Sequence, residues 1–201
     1  MTPAPDAGRS AGRPAVDRGR LVVLSGPSGV GKGTVLAEIR ESHPQIWVSV
    51  SATTRAPRAG EVEGEQYRFV DRPGFDAMVA SGEFLEHAMY ADNCYGTPRR
   101  PVEERLRRGE PALVEVELQG ARQVRASMPD AFLIFLAPPS WDELVRRLVG
   151  RGTEDAATVA RRLAIAREEL SAEGEFDAVV VNDDVRAAAE RVVTWSLNPP
   201  G

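Results

Sequence analysis

The stretch "LVVLSGPSGVGKGTVLAEI", residues 21–39, narrows the possible folds more than any other part of the chain. Its opening run, Leu21 to Ser25, is short, apolar and rich in β-branched residues, which predicts a buried strand. Val35, Leu36 and Ile39 then follow at helical spacing. Between strand and helix, Gly26, Gly31 and Lys32 satisfy the pattern G-x-x-x-x-G-K. Glycines there let several amide N–H groups turn inward around phosphate oxygens. The helix N-terminus adds positive potential, and the lysine reaches the terminal phosphates of a nucleoside triphosphate. Gly26, Pro27, Ser28, Gly29, Val30, Gly31, Lys32, Gly33 and Thr34 are therefore expected to bind the triphosphate of a nucleotide, which leaves an ATPase, a GTPase and several kinases open. Lys32 is the single lysine among 25 Lys and Arg side chains. A compact ammonium on a flexible stem can follow a phosphoryl group as it moves, whereas a planar guanidinium would crowd the loop. The position after the lysine, often a Ser or Thr that ligates Mg²⁺, is Gly33. Mg²⁺ arriving with the nucleotide would then be held mainly by phosphates and water, since this ion keeps much of its hydration.

The strand-to-helix alternation recurs along the chain. Apolar runs at 46–50, 112–118, 131–137 and 178–181 are mostly followed by amphipathic stretches such as "SWDELVRRLVG" and "DVRAAAERVVTWSL". Continuous apolar strands alternating with helices predict an α/β fold with a central parallel sheet covered on both faces. With 201 residues, 42% of them hydrophobic, the chain has material for one substantial core. Two segments break the pattern. Residues 52–97 are polar and irregular, predicting a small, mostly β subdomain, and 151–173 reads as a helical, arginine-bearing excursion with a cap at Thr153. The core is accordingly 20–51, 98–150 and 174–197, and residues 1–19, without hydrophobic period, are expected to be a disordered tail.

A net charge of -5 argues against a general nucleic-acid or membrane-surface binder. The lone Cys94 cannot form an internal disulfide, the first twenty residues carry no apolar signal segment, and no apolar run is long enough to span a membrane. A cytoplasmic location is expected, with no obligate protein partner evident. His43, His87 and Cys94 share no metal-ligand spacing, and Trp47, Trp141 and Trp195 sit in apolar segments as packing residues.

The insertion carries the residues that discriminate among triphosphate users. Arg55 and Arg58 lie three apart in "TTRAPRAGE", with Tyr67 and Tyr95 further along. Two forked guanidiniums and two phenols can converge on a dianionic phosphate. Glu86 in "GEFLEHA" and Thr97 in "YGT" supply a carboxylate and a hydroxyl suited to reading a base edge. In "VEVE", Glu115 and Glu117 alternate with Val114 and Val116 and so are expected on one face of a strand.

Taken together, "SGPSGVGKGT", "SATTRAPRAGE", "GEFLEHA", "YGTP", "VEVELQGAR", "FLAPPS", "RLVGRGTE" and "VVVNDD" resemble the guanylate kinases in order and spacing over residues 20–195. The resemblance implies a phosphate-loop kinase fold, with 151–173 as its helical lid, that transfers the γ-phosphoryl group of ATP to GMP, with dGMP a second substrate. By the same resemblance Arg55, Arg58, Tyr67 and Tyr95 clamp the GMP phosphate. Ser51, Glu86, Thr97 and Glu117 read guanine. Lys32, Arg55, Arg58, Arg147 and Arg162 neutralise the transferring phosphoryl group, while Arg151 and Asn182 contact adenine. Glu115 lies near the phosphate loop, either orienting magnesium-bound water or ending a strand in solvent. Glu117 stands where the family often has Asp, and Ala52 where serine is common. Two other readings stay open: a non-catalytic guanylate-kinase-like interaction module, and a related sugar-phosphate kinase lacking a guanine-reading pair.

Overall fold

In the computed structural model, residues 19–90, 92–149 and 156–198 are described. The expected tail lies almost wholly outside the described residues, as do Arg151 and Thr153. Strand β1 (Leu21–Ser25) is central in a five-stranded sheet and is followed by α1 (Lys32–Ser42). The other strands are β2 (Trp47–Val48), β7 (Ala112–Glu115), β8 (Phe132–Ala137) and β9 (Ala178–Val181), in spatial order β2-β7-β1-β8-β9. Every pairing is parallel.

Alternate residues of β1 explain the layers. Val22 and Leu24 join one buried cluster with Val35, Leu36 and Ile39 of α1; that cluster also takes in Leu144 of α5 (Trp141–Val149), Ala166 of α6 (Ala156–Ser171) and Val192 of α7 (Val185–Leu197). Leu21 and Val23 face the opposite cluster, with Val102 and Leu106 of α3 (Arg99–Arg107) and Val124 of α4 (Leu118–Ser127). A strand buried on both faces has no polar side to show, which is why its sequence is uniformly apolar. The three tryptophans pack at the margins of these clusters, and His43 caps α1 within 3.1 Å of Glu190.

At Ser49 and Val50 the chain leaves the parallel sheet and enters a second, four-stranded one, ordered β4-β3-β6-β5. Its strands are β3 (Ser51–Thr53), β4 (Tyr67–Phe69), β5 (Phe84–Tyr90) and β6 (Asn93–Pro98). The predicted apolar run at 46–50 is thus divided, with 47–48 alone staying in the core sheet. This subdomain also holds α2 (Arg72–Ala80), a helix the sequence reading did not single out. Its signals were present: Asp71 accepts from the Gly74 amide as N-cap, proline sits in the first turn, and Phe75 and Met78 bury one face. Phe75 stacks on Phe84 at 4.6 Å between centroids, and with Ala52, Met78 and Cys94 it forms a small core separate from the other two.

One boundary differs from expectation. The strand read over 112–118 stops at Glu115, and Glu117 is the N-cap of α4, its carbonyl accepting from the Ala121 amide. The apolar alternation of "VEVEL" continues past the point where the sheet's last pairing, Leu24 with Glu115, ends.

Candidate active site

The phosphate loop connects the carboxyl end of β1 to α1. Gly26 has φ +146, and a Cβ there would stand 2.3 Å from the Leu136 carbonyl oxygen. Gly31, the left-handed N-cap of α1, would drive a Cβ to 2.7 Å from Asn182 Nδ2. Neither position tolerates a side chain. No side chain caps α1 and its first turn contains no acidic residue, so its N-terminal amides remain suited to an anion.

Lys32 is only 6% exposed, with Nζ 2.6 Å from the Gly26 carbonyl oxygen and 3.3 Å from Glu117 Oε2. Burial alone would lower its pKa, but the carboxylates of Glu117, Glu115 and Glu169 hold it above the ordinary lysine value. Three carboxylates around one ammonium keep it charged. Burial raises the Glu115 pKa, against the opposing pull of Lys32.

Asn182 Nδ2 donates to the Val30 carbonyl at 2.8 Å, and Arg147 Nη1 donates to the same oxygen at 3.0 Å. Glu143 also accepts from Arg147 Nε at 2.7 Å. Asn182 Oδ1 is buried with no hydrogen-bond partner among the described residues, leaving an acceptor at the edge of the loop. Arg162, on α6, donates to the Leu148 carbonyl at 3.4 Å. Glu169, two turns further along α6, accepts from the Ser28 amide at 3.0 Å. Sequence reasoning missed Glu169, whose connection to the loop spans 141 residues.

A cavity of about 740 Å³ opens beside Gly33. Ser51, Arg55, Arg58, Tyr67, Glu86, Tyr95 and Glu117 all line it, together with Glu115. Thr97 stands behind Glu86: its amide and hydroxyl both donate to Glu86 Oε1, at 3.0 and 2.7 Å. Burial lifts the Glu86 carboxyl to about 7, even though both Thr97 bonds favour the ionised form. Arg55 sits 5.3 Å from the Tyr67 ring centroid, and Tyr67 meets Tyr95 edge-on at 6.0 Å. Burial raises the Tyr67 pKa.

Arg55 and Arg58 are organised by a residue not anticipated from sequence. Glu61 accepts from Arg55 Nη1 and Nη2 at 3.0 and 2.8 Å and from the Arg58 amide at 2.7 Å. These bonds lower the Glu61 pKa and raise that of Arg55. The acid lies three residues after Arg58, but only the reversal of the loop reveals the pairing. Arg40 and Glu41 of α1 also line the cavity.

A triphosphate loop at the carboxyl edge of a parallel sheet, sharing a cleft with an arginine-lined cavity, is the arrangement of a phosphate-loop kinase with separate donor and acceptor sites. Comparison with known proteins narrows that class. The family model described as guanylate kinase matches residues 18–195, and the chain belongs to this family. The guanylate kinase of Frankia casuarinae is 65% identical over 177 residues, covering 88% of this chain and 96% of that protein. That of Streptomyces kasugaensis is 59% identical over 184 residues, covering 92% and 90%. The crystal structure of guanylate kinase from Anaplasma phagocytophilum superposes with a TM-score of 0.75 at 37% identity, covering 90% of this chain and 86% of that one.

Proposed function

We propose that the protein transfers the γ-phosphoryl group of ATP to GMP, giving ADP and GDP, and accepts dGMP as a second substrate. The observation that carries this reading is the single cavity that brings Glu86, Arg55 and Arg58 to the start of α1. Guanine seats against Glu86, whose carboxylate accepts from the N1–H and 2-amino groups that adenine does not offer together. Ser51 and Glu117 complete the base pocket, and Arg55, Arg58, Tyr67 and Tyr95 hold the phosphate. An oxygen of that phosphate attacks the γ-phosphorus in line as the bond to the β,γ-bridging oxygen breaks and ADP departs. No side-chain nucleophile is needed, because positioning and charge neutralisation do the catalytic work. Lys32, Arg147 and Arg162 supply positive charge on the donor side, with Asn182 at the adenine end. Closure of the acceptor subdomain and the lid over both substrates excludes water, which would otherwise take the phosphoryl group.

Mg²⁺ fits this donor set as a hydrated ion. Residue 33 has no side chain to ligate it, while Glu115 lines the cavity and interacts electrostatically with Lys32, a carboxylate suited to hold its water. When bound with ATP it would neutralise charge on the β- and γ-phosphates. The intact donor loop distinguishes this reading from a non-catalytic interaction module. A coupled assay offering GMP, dGMP, AMP, UMP and ribose phosphate tests it: turnover with GMP and dGMP is expected, and preference for AMP or a sugar phosphate would contradict it.

A further inference from the structure

Glu86 presents its two oxygens very differently. Oε1 takes both Thr97 bonds, and Oε2 takes no hydrogen bond among the described residues. Directly beneath the free oxygen is the backbone of α4 at Gly120. A Cβ built on Gly120 would lie 2.5 Å from Glu86 Oε2 and 3.0 Å from its carboxyl carbon, both closer than the next neighbour, Val116 Cβ at 3.1 Å. Glu86 has little room to retreat. It is 6% exposed, Thr97 grips the other oxygen, and the neighbouring strand residue is tied to the same helix. Gln123, one turn beyond Gly120, accepts from the His87 amide at 3.1 Å and donates to the His87 carbonyl at 2.8 Å. Strand β5 is therefore pinned against the face of α4 on which Gly120 lies.

We infer that Gly120 is a specificity-positioning residue: the missing side chain makes the seat in which Glu86 holds its free oxygen toward the guanine edge. The inference rests on the assignment of Glu86 to guanine. Glycine costs helix stability in this position, where its φ is one that any residue adopts and alanine would be the better helix former. A Cβ would displace the carboxylate or break its Thr97 bonds. Either change alters the donor and acceptor pattern offered to the base without touching the ATP side.

The test is Gly120→Ala, assayed with GMP and ATP varied in turn. kcat/KM for GMP should fall at least tenfold, KM for ATP should stay within twofold, and the melting temperature should not fall in parallel. In a Glu86→Ala background, where no carboxylate meets the new methyl group, adding Gly120→Ala should change kcat/KM for GMP less than twofold. If Gly120→Ala alone does not fold, the double variant should fold. Unchanged GMP use by Gly120→Ala, equal losses for both substrates, an undiminished effect in the Glu86→Ala background, or a double variant that stays unfolded would each overturn the inference. Wild-type protein that fails to prefer GMP over AMP would instead overturn the assignment of Glu86 itself.

Discussion

The donor and acceptor halves of the site are built from different materials. On the donor side the chain presents backbone: a glycine loop between β1 and α1, uncapped helix amides, and a lysine held by the Gly26 carbonyl. On the acceptor side it presents side chains, with arginines, tyrosines and a buried glutamate raised on a second sheet whose own core is small. A triphosphate is recognised by charge and shape, which amides of a rigid edge supply. Guanine must be told from adenine, which requires a carboxylate in a chosen protonation state. The contrast implies that donor-side changes should act on turnover generally, whereas acceptor-side changes should act selectively on GMP.

The largest effect should come from Lys32→Ala, which removes the ammonium held at the Gly26 carbonyl. We expect kcat to fall about 10²–10³-fold, the range for losing one electrostatic stabiliser, with GMP affinity measured by calorimetry little changed. Stability should fall as well, since Glu115, Glu117 and Glu169 would lose their shared ammonium, with Arg40 left acting on Glu115. A comparable loss of GMP affinity would break the division between the two halves. Glu86→Gln should lower kcat/KM for GMP about a hundredfold by replacing one acceptor with a donor, while KM for ATP stays within twofold.

The same carboxyl sharpens the comparison through pH. Because its pKa in the folded protein is about 7, protonation as pH falls removes the acceptor that guanine requires. kcat/KM for GMP should drop about tenfold between pH 8 and pH 6. The Glu86→Gln variant should lose this limb, keeping only what arises from the substrate phosphates, whose second pKa is about 6. Stability has the opposite sense. A carboxyl whose pKa is raised on folding contributes fully below its unfolded value of 4.5, and the contribution is lost as pH rises through about 7. Glu86→Gln should therefore melt progressively higher relative to wild type across that interval. The smallest effect is expected from Glu61→Gln, which loosens the bidentate grip on Arg55 and should raise KM for GMP about threefold, with ATP unaffected.

How far each half could be read from sequence follows from the same difference. The donor loop was legible because its chemistry is local: Gly26, Gly31 and Lys32 do their work within one strand-to-helix turn. The parallel sheet was legible from uniformly apolar runs such as Leu21–Leu24, although periodicity could not show that the strand at 112 yields to a helix after Glu115. Residue types in the cavity were legible, since Arg55, Arg58, Tyr67 and Glu86, singled out from sequence, all line it. Their supports were not. Glu61 meets Arg55 because a loop folds back, Thr97 meets Glu86 across two antiparallel strands, and Gly120 meets Glu86 across a helix and a sheet. No spacing in the chain encodes those meetings. The helix at 72–80 was legible in principle, but its cap and apolar face were outweighed by the polar character of the surrounding insertion.

The central claim is that the two halves exchange a phosphoryl group directly. The most direct measurement supplies ATP labelled in the γ-phosphate and follows the label with and without GMP. The account predicts label in the β-phosphate of GDP, in equal amount to ADP formed, and almost no labelled inorganic phosphate when GMP is absent. Label released as inorganic phosphate at the same rate whether or not GMP is present would contradict it.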